Sequence, residues 1–141
     1  MAALSLLVEH GPERTDSVID NDHLGRMTLG DRDLEREVLE IFARQTTLSL
    51  NRLVAAEPAR AAAIAHTLKG SARGVGAWRV ARAAERLEQT AAGKFDEKAI
   101  AGAIAQLDAA SIEVREAIGT RLGDRFEEIG TNTHGQRSRD H

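Results

Sequence analysis

Apolar residues recur along most of this chain at intervals of three and four positions, the spacing that keeps side chains on one face of an α-helix. The pattern predicts four long helices, over about residues 32–55, 59–73, 77–92 and 97–118. No stretch alternates apolar and polar side chains as a half-buried strand would. The clearest apolar stripe comprises Ile100, Ile104, Leu107, Ser111, Val114 and Ile118. We therefore expect an all-α protein.

Residues that start and stop helices mark the links between these segments. Asp31 and Asp96 suit N-caps, because a carboxylate accepts hydrogen bonds from the free N–H groups of a first helical turn. Pro58 suits a first turn, where its missing N–H is not needed. Gly30 and Gly93 interrupt the chain before and after helical segments. Four amphipathic helices with short links predict an antiparallel four-helix bundle.

The two ends of the chain show no comparable period. We assign residues 1–20 to a poorly ordered lead, and we predict a short additional helix over about residues 22–28. The predicted bundle covers residues 21–122. Residues 123–141 are expected to be partly helical and then to form a disordered polar tail, because no apolar residue follows position 130 to dock it.

Composition narrows the classes of function. The formal net charge is −3 and the pI is about 6.0, so no global basic field attracts nucleic acid or anionic lipid. The chain has no cysteine, which excludes disulfides and thiolate chemistry. No segment approaches the roughly 20 apolar residues that span a bilayer. We expect a cytoplasmic monomer that binds neither nucleic acid nor membrane.

One exposed histidine stands out in the helix predicted over residues 59–73. Ala65 and Leu68 follow the core-facing rhythm, whereas His66 lies off that stripe. Lys69 and Arg73 share the face of His66, so two cations can fold towards whatever the imidazole carries. A phosphoryl group, with about two negative charges, would need this compensation.

Gly70 is a second unusual residue on the helix face that carries His66. A glycine inside a helix costs roughly 1 kcal/mol relative to alanine. The helix is otherwise rich in alanine, so the less costly residue is compatible with its composition. A glycine one turn after an exposed histidine therefore indicates close approach by a partner or ligand. Gly74 is weaker evidence, because a glycine there can simply end the helix.

The segment His66-Thr67-Leu68-Lys69-Gly70-Ser71-Ala72, followed by Gly76, resembles the signature of histidine phosphotransfer (Hpt) domains. The pair Leu87-Glu88 in the next helix also resembles a Leu-Glu pair of that family. The resemblance extends over about residues 22–118, although only the core of seven residues is specific. It implies a four-helix bundle with the phosphorylated histidine exposed in mid-helix.

The resemblance also implies a function. It implies reversible transfer of a phosphoryl group between His66 and the aspartate of receiver domains in response regulators or hybrid histidine kinases. It implies a phosphocarrier without ATP-dependent kinase activity, and no Walker-type glycine loop is present. No cofactor is expected, since the Mg²⁺ for transfer would sit in the receiver. The donor, the acceptor and the direction of phosphate flow stay open.

On this hypothesis each candidate residue has a role. His66 acts as nucleophile through one ring nitrogen, expected to be Nε2, with Lys69 and then Arg73 neutralising the phosphoryl oxygens and Gly70 leaving room. Gln45 or Gln89 would hydrogen-bond the imidazole from a neighbouring helix. The receiver would dock across the helices predicted over residues 32–55 and 59–73, or across those over residues 59–73 and 77–92. The candidate contacts for docking are Phe42, Ala62, Gly74 and Trp78.

Other interpretations accompany these. Phe42 is as readily a core residue as a docking contact, and Trp78 can instead cap one end of the bundle. The remaining histidines share no spacing with acidic partners, so we expect no metal site. The main competing function is a helical adaptor that binds a signalling partner without chemistry. A regulatory domain of a nucleic-acid-binding system is weaker, because no helix-turn-helix is evident.

Overall fold

A computed structural model describes residues 17–93 and 96–140, with the side chains described as far as residue 123. The described residues contain five α-helices and no strand. We number them in chain order as α1 Asn21–Met27, α2 Arg32–Leu53, α3 Pro58–Val75, α4 Trp78–Ala92 and α5 Glu97–Asp140. The predictions of an all-α protein and of a short helix before the four long ones are confirmed.

Helix ends follow the local signals in the sequence. The Asp31 carboxylate accepts hydrogen bonds from the backbone N–H groups of Asp33 and Leu34, at 2.9 and 3.1 Å. The Asp96 carboxylate accepts one from Ala99 at 3.1 Å. Pro58 occupies the first position of α3. These caps satisfy backbone donors that have no partner inside the helix.

The long helices enclose one apolar core. α2 packs on α3, α3 on α4, α4 on α5, and α5 returns to α2. α3 contributes mostly small side chains, so its backbone can approach its neighbours closely. The interface of α3 with α4 is the largest, and it carries the site described below. The fully buried side chains of these two helices include Ala65, Leu68, Ala72, Val80, Ala84 and Leu87.

The short helix α1 is fastened to the turn between α3 and α4. The backbone N–H of Asp20 donates to the carbonyl of Gly76 at 2.9 Å, and the indole Nε1 of Trp78 donates to the Asp20 carboxylate at 2.9 Å. Gly76 has a φ of 81°, and a Cβ there would lie 3.1 Å from Asp20. Only glycine combines this backbone conformation with so close a contact.

The structure near both chain ends differs from the prediction. Ile19 and Asp20 are buried, although we placed them in the poorly ordered lead. The rest of that lead, residues 1–16, lies outside the described residues. The backbone of α5 continues as helix to Asp140, through the segment expected to end as a disordered polar tail. The domain boundaries stay predictions.

Within the part of the chain that the structure describes, no helix is both long enough and apolar enough to cross a membrane.

Candidate functional site

His66 projects from the middle of α3, and its side chain is 67% exposed. The residues on either side of its face, Ala65 and Leu68, are fully buried in the core. The position of His66 off the apolar stripe therefore places the imidazole at the surface, as the helical period predicts. An imidazole so exposed is accessible to a large partner.

Glu88 of α4 holds both His66 and Lys69. Its Oε2 lies 2.7 Å from Nδ1 of the imidazole, and its Oε1 accepts a hydrogen bond from Nζ of Lys69 at 2.7 Å. Lys69 is 15% exposed and Glu88 25%, so this ion pair is partly shielded from solvent. One carboxylate thus ties the two residues of α3 to the neighbouring helix.

The contact with Glu88 determines the tautomer of His66. An ionised carboxylate can only accept hydrogen bonds, so Nδ1 must carry the proton in the contact at 2.7 Å. In the neutral ring, Nε2 then holds the free lone pair. The geometry leaves the outer nitrogen, Nε2, with a free lone pair, and its role as nucleophile stays a prediction.

Glu88 is ionised under ordinary conditions. The hydrogen bond from Lys69, and after it the hydrogen bond with His66, lower the pKa of the Glu88 carboxyl from its ordinary value of 4.5. Partial burial acts in the opposite direction but is outweighed. A carboxylate with a lowered pKa keeps its charge at neutral pH, which the arrangement with His66 and Lys69 requires.

The surface beside His66 is open. Gly70 lies one turn after His66 and is exposed, and a Cβ at this position would meet nothing within 4 Å. Packing inside the protein therefore does not require glycine there. Ala62, one turn before His66, is half-buried and small. The two positions leave free space along the helix on both sides of the imidazole.

Arg73 contacts a second glutamate of α4. Its guanidinium forms an ion pair with Glu85 of α4 at 3.5 Å, and the arginine side chain is 52% exposed. The exposure leaves it free to exchange partners at little cost, because exposed ion pairs contribute only about 0–1 kcal/mol. Its role in compensating phosphoryl charge stays a prediction.

Two of the candidate docking contacts are occupied within the protein. Phe42 is 2% exposed and belongs to the core, so the prediction of an exposed contact there is wrong. Trp78 is half-buried, its indole bonded to Asp20 and in edge contact with His23 at 5.0 Å. This corresponds to the alternative interpretation, a cap over one end of the helices. Gly74 is half-buried, and a Cβ there would meet nothing within 4 Å.

The expected support of the imidazole by a glutamine is also corrected. Among the described residues neither Gln45 nor Gln89 hydrogen-bonds His66, and Glu88 takes that place. Gln89 is exposed, whereas Gln45 lines a groove between α2 and α3. Glu88 was visible in the sequence within the pair Leu87-Glu88, but the period alone did not connect it with His66.

A metal centre has no support in the described part of the chain, where no three His, Cys, Asp or Glu side chains cluster. The groups that the structure brings together at His66 are the imidazole, the Glu88 carboxylate and the Lys69 ammonium.

Comparison with known proteins agrees with the geometry. A family model for the Hpt domain matches residues 35–128, which is more than half of the chain and includes every residue of this site. No curated protein and no solved structure matches the chain. Hpt domains carry phosphoryl groups on histidine in the phosphorelays of two-component signalling. The match over most of its length, together with the exposed histidine on a helical surface, shows that this chain belongs to the Hpt domain family.

Proposed function

We propose that this protein is a phosphorelay carrier that moves a phosphoryl group between His66 and the aspartate of receiver domains. The observation that carries the proposal is the contact of Glu88 with Nδ1 of His66, because it leaves Nε2 exposed and nucleophilic. The short links between the four long helices support an antiparallel four-helix bundle as the scaffold. Its contribution to the reaction is to hold these groups in position.

In the forward step the lone pair of Nε2 attacks the phosphorus of an aspartyl phosphate on the receiver. The N–P bond forms as the P–O bond to the aspartate breaks, and the receiver carboxylate leaves with the electron pair. The ring then carries a positive charge, which the Glu88 carboxylate balances through the proton on Nδ1. The reverse sequence returns the phosphoryl group to an aspartate.

Lys69 supplies the second charge. Its ammonium has three donors on a flexible stem, so it can contact a phosphoryl oxygen while staying near Glu88. Arg73 is a further candidate for the same task once it leaves Glu85. Gly70 and Ala62 provide the space that a phosphoryl group and an approaching receiver need.

The proposal extends to the cellular setting. The protein acts as a monomer in the cytoplasm, without a cofactor or kinase activity of its own, and the Mg²⁺ of the reaction belongs to the receiver. Receiver domains are its partners, and neither nucleic acid nor membrane is among them.

The test is phosphotransfer from receiver domains phosphorylated on aspartate to the purified protein. Wild type should acquire an acid-labile, base-stable label, and His66→Gln should acquire none. His134→Gln, a histidine outside the matched region, is the matched control and should be labelled like wild type. Absence of label on wild type with a broad panel of receivers would favour the adaptor function instead. So would a His66→Gln variant that keeps full signalling activity in cells.

A further inference from the structure

A shallow groove of about 460 Å³ runs between α2 and α3. Its floor is apolar, with Ile41 and Leu48 of α2 facing Ile64 of α3. Ile41 and Leu48 are 50% and 54% exposed, although both are large aliphatic residues. They lie seven positions apart, two helical turns, so they share one face of α2, with Arg44 and Gln45 between them. Large aliphatic side chains exposed on one face of a groove, with charged residues at its rim, are typical of a surface that a partner covers.

The groove begins beside the reactive histidine. Thr67, the residue after His66, lies on the groove wall. A partner seated in the groove would therefore extend next to the imidazole without passing over α4. This position makes the groove a candidate for docking rather than a remote feature.

The rim of the groove is basic. Arg44, Arg52 and Arg60 line it, and no acidic residue does. This contrasts with the formal net charge of −3 for the whole chain. All three arginines are exposed, and within the described residues none of them forms an ion pair or a hydrogen bond. Three uncompensated cations around an apolar floor complement an acidic surface.

The other side of His66 differs in this respect. Between α3 and α4, Lys69 is paired with Glu88 and Arg73 with Glu85. These two cations of α3 are already paired within the protein. The two docking faces that the sequence leaves open are thus distinguished by charge, and only the face between α2 and α3 presents free cations next to an apolar floor.

Arg60 supports a role beyond helix stability. It lies in the first turn of α3, which contains no acidic residue. The dipole of a helix disfavours a positive charge at its N-terminus. The helix dipole therefore does not favour an arginine here, whereas an acidic partner would be attracted by it.

We propose that this groove binds an amphipathic helix of the receiver domain, with apolar residues at helical spacing flanked by Asp and Glu. The inference rests on the proposed function and adds the chemistry of the partner. The apolar side of the helix would cover Ile41 and Leu48, and its carboxylates would meet the arginine rim. Charge around the groove then selects among receivers, since opposite charges accelerate encounter and like charges suppress it.

The first experiment compares Arg52→Glu and Arg60→Glu with Arg82→Glu. Arg82 is an exposed residue of α4 that forms no ion pair or hydrogen bond within the described residues. Each variant replaces an arginine by a glutamate, so all three change the net charge equally. The donors are purified receiver domains phosphorylated with acetyl phosphate, some with acid-rich and some with acid-poor surface helices. We expect kcat/KM for acid-rich donors to fall about tenfold or more in the groove variants at low salt. Arg82→Glu should match wild type, and high salt should reduce the difference.

A second measurement separates docking from chemistry. Phosphoramidate is a small phosphoryl donor that needs no docking surface, and it should label His66 equally in wild type and in both groove variants. A receiver whose helix carboxylate is replaced by lysine should transfer better to Arg52→Glu than to wild type.

The outcomes are distinguishable. If phosphoramidate leaves His66 unlabelled, or no receiver transfers to wild type, the proposed function itself fails. If transfer occurs but the groove variants behave like Arg82→Glu, and acid-rich donors have no advantage, only the docking inference is overturned.

Discussion

The Nδ1 atom of His66 lies 2.7 Å from Oε2 of Glu88, although 22 positions separate the two residues in the chain. The contact spans the interface of α3 with α4, and Lys69 meets the other oxygen of the same carboxylate. It orients the ring, determines which nitrogen is free and provides a counter-charge. On the proposed function, the reactivity of the histidine therefore depends on two helices.

Replacing Glu88 tests this dependence. In Glu88→Gln the amide oxygen can still accept from Nδ1, but the negative charge is lost and Lys69 loses its ion pair. We expect phosphotransfer to slow by about tenfold, because a charge-assisted hydrogen bond to the imidazole becomes a weaker neutral one. Rapid-quench kinetics with a phosphorylated receiver measures the rate, and ¹⁵N chemical shifts of the imidazole report the tautomer. Glu113→Gln, which disrupts an ion pair with Arg79 on α4, is the control. The tautomer should stay as in wild type, and a Glu88→Gln variant that also transfers as fast as wild type would contradict the role of the Glu88 charge.

The pH dependence of this cluster follows from the Glu88 carboxyl. Its pKa in the folded protein is lowered from 4.5, chiefly by the hydrogen bond from Lys69. A carboxyl whose pKa is lowered on folding stabilises the protein at pH values above the pKa of the unfolded state. This contribution is lost as the pH falls through the pKa of the folded state. A ¹³C NMR titration should therefore place the Glu88 midpoint below 4.5, and Lys69→Met should raise it. An unchanged midpoint in Lys69→Met would mean that the ammonium does not cause the shift.

Local signals in the sequence were enough for the helices and their caps. Asp31, Pro58 and Asp96 begin helices where capping chemistry predicts, because a cap depends on residues within one turn. The exposure of His66 also follows from the helical period alone. These predictions needed no knowledge of how one helix lies against another.

Contacts between helices were beyond that reasoning. The contact of His66 with Glu88 joins residues 22 positions apart, and the hydrogen bond from Trp78 to Asp20 joins residues 58 positions apart. Periodicity carries no information on such pairs. Ile41 and Phe42 show a second limit. They are adjacent apolar residues about 100° apart on α2, and the period does not say which of them is buried more deeply; the structure buries Phe42 and leaves Ile41 50% exposed.

Truncation of Phe42 should consequently lower the free energy of unfolding far more than truncation of Leu48. Phe42→Ala removes a side chain that is 2% exposed, and we expect a loss of about 3–5 kcal/mol in the free energy of unfolding. Leu48→Ala, at a side chain 54% exposed, should change it by less than about 0.5 kcal/mol. Urea denaturation followed by circular dichroism measures both. A mild effect of Phe42→Ala would show that this ring is not a core residue.

Gly70 should show a conflict between stability and function. The structure holds open space at its Cβ position, so alanine fits without strain and should stabilise α3 by about 0.5–1 kcal/mol. The same methyl group would occupy the surface beside His66 that a receiver must approach, so phosphotransfer should slow while the melting temperature rises. Gly102→Ala on α5 is the matched control, because a Cβ there also meets nothing within 4 Å. It should gain similar stability in thermal unfolding and transfer at the rate of wild type. If Gly70→Ala were both more stable and fully active, the glycine would have no role in partner approach, and the argument from its cost in the helix would fail.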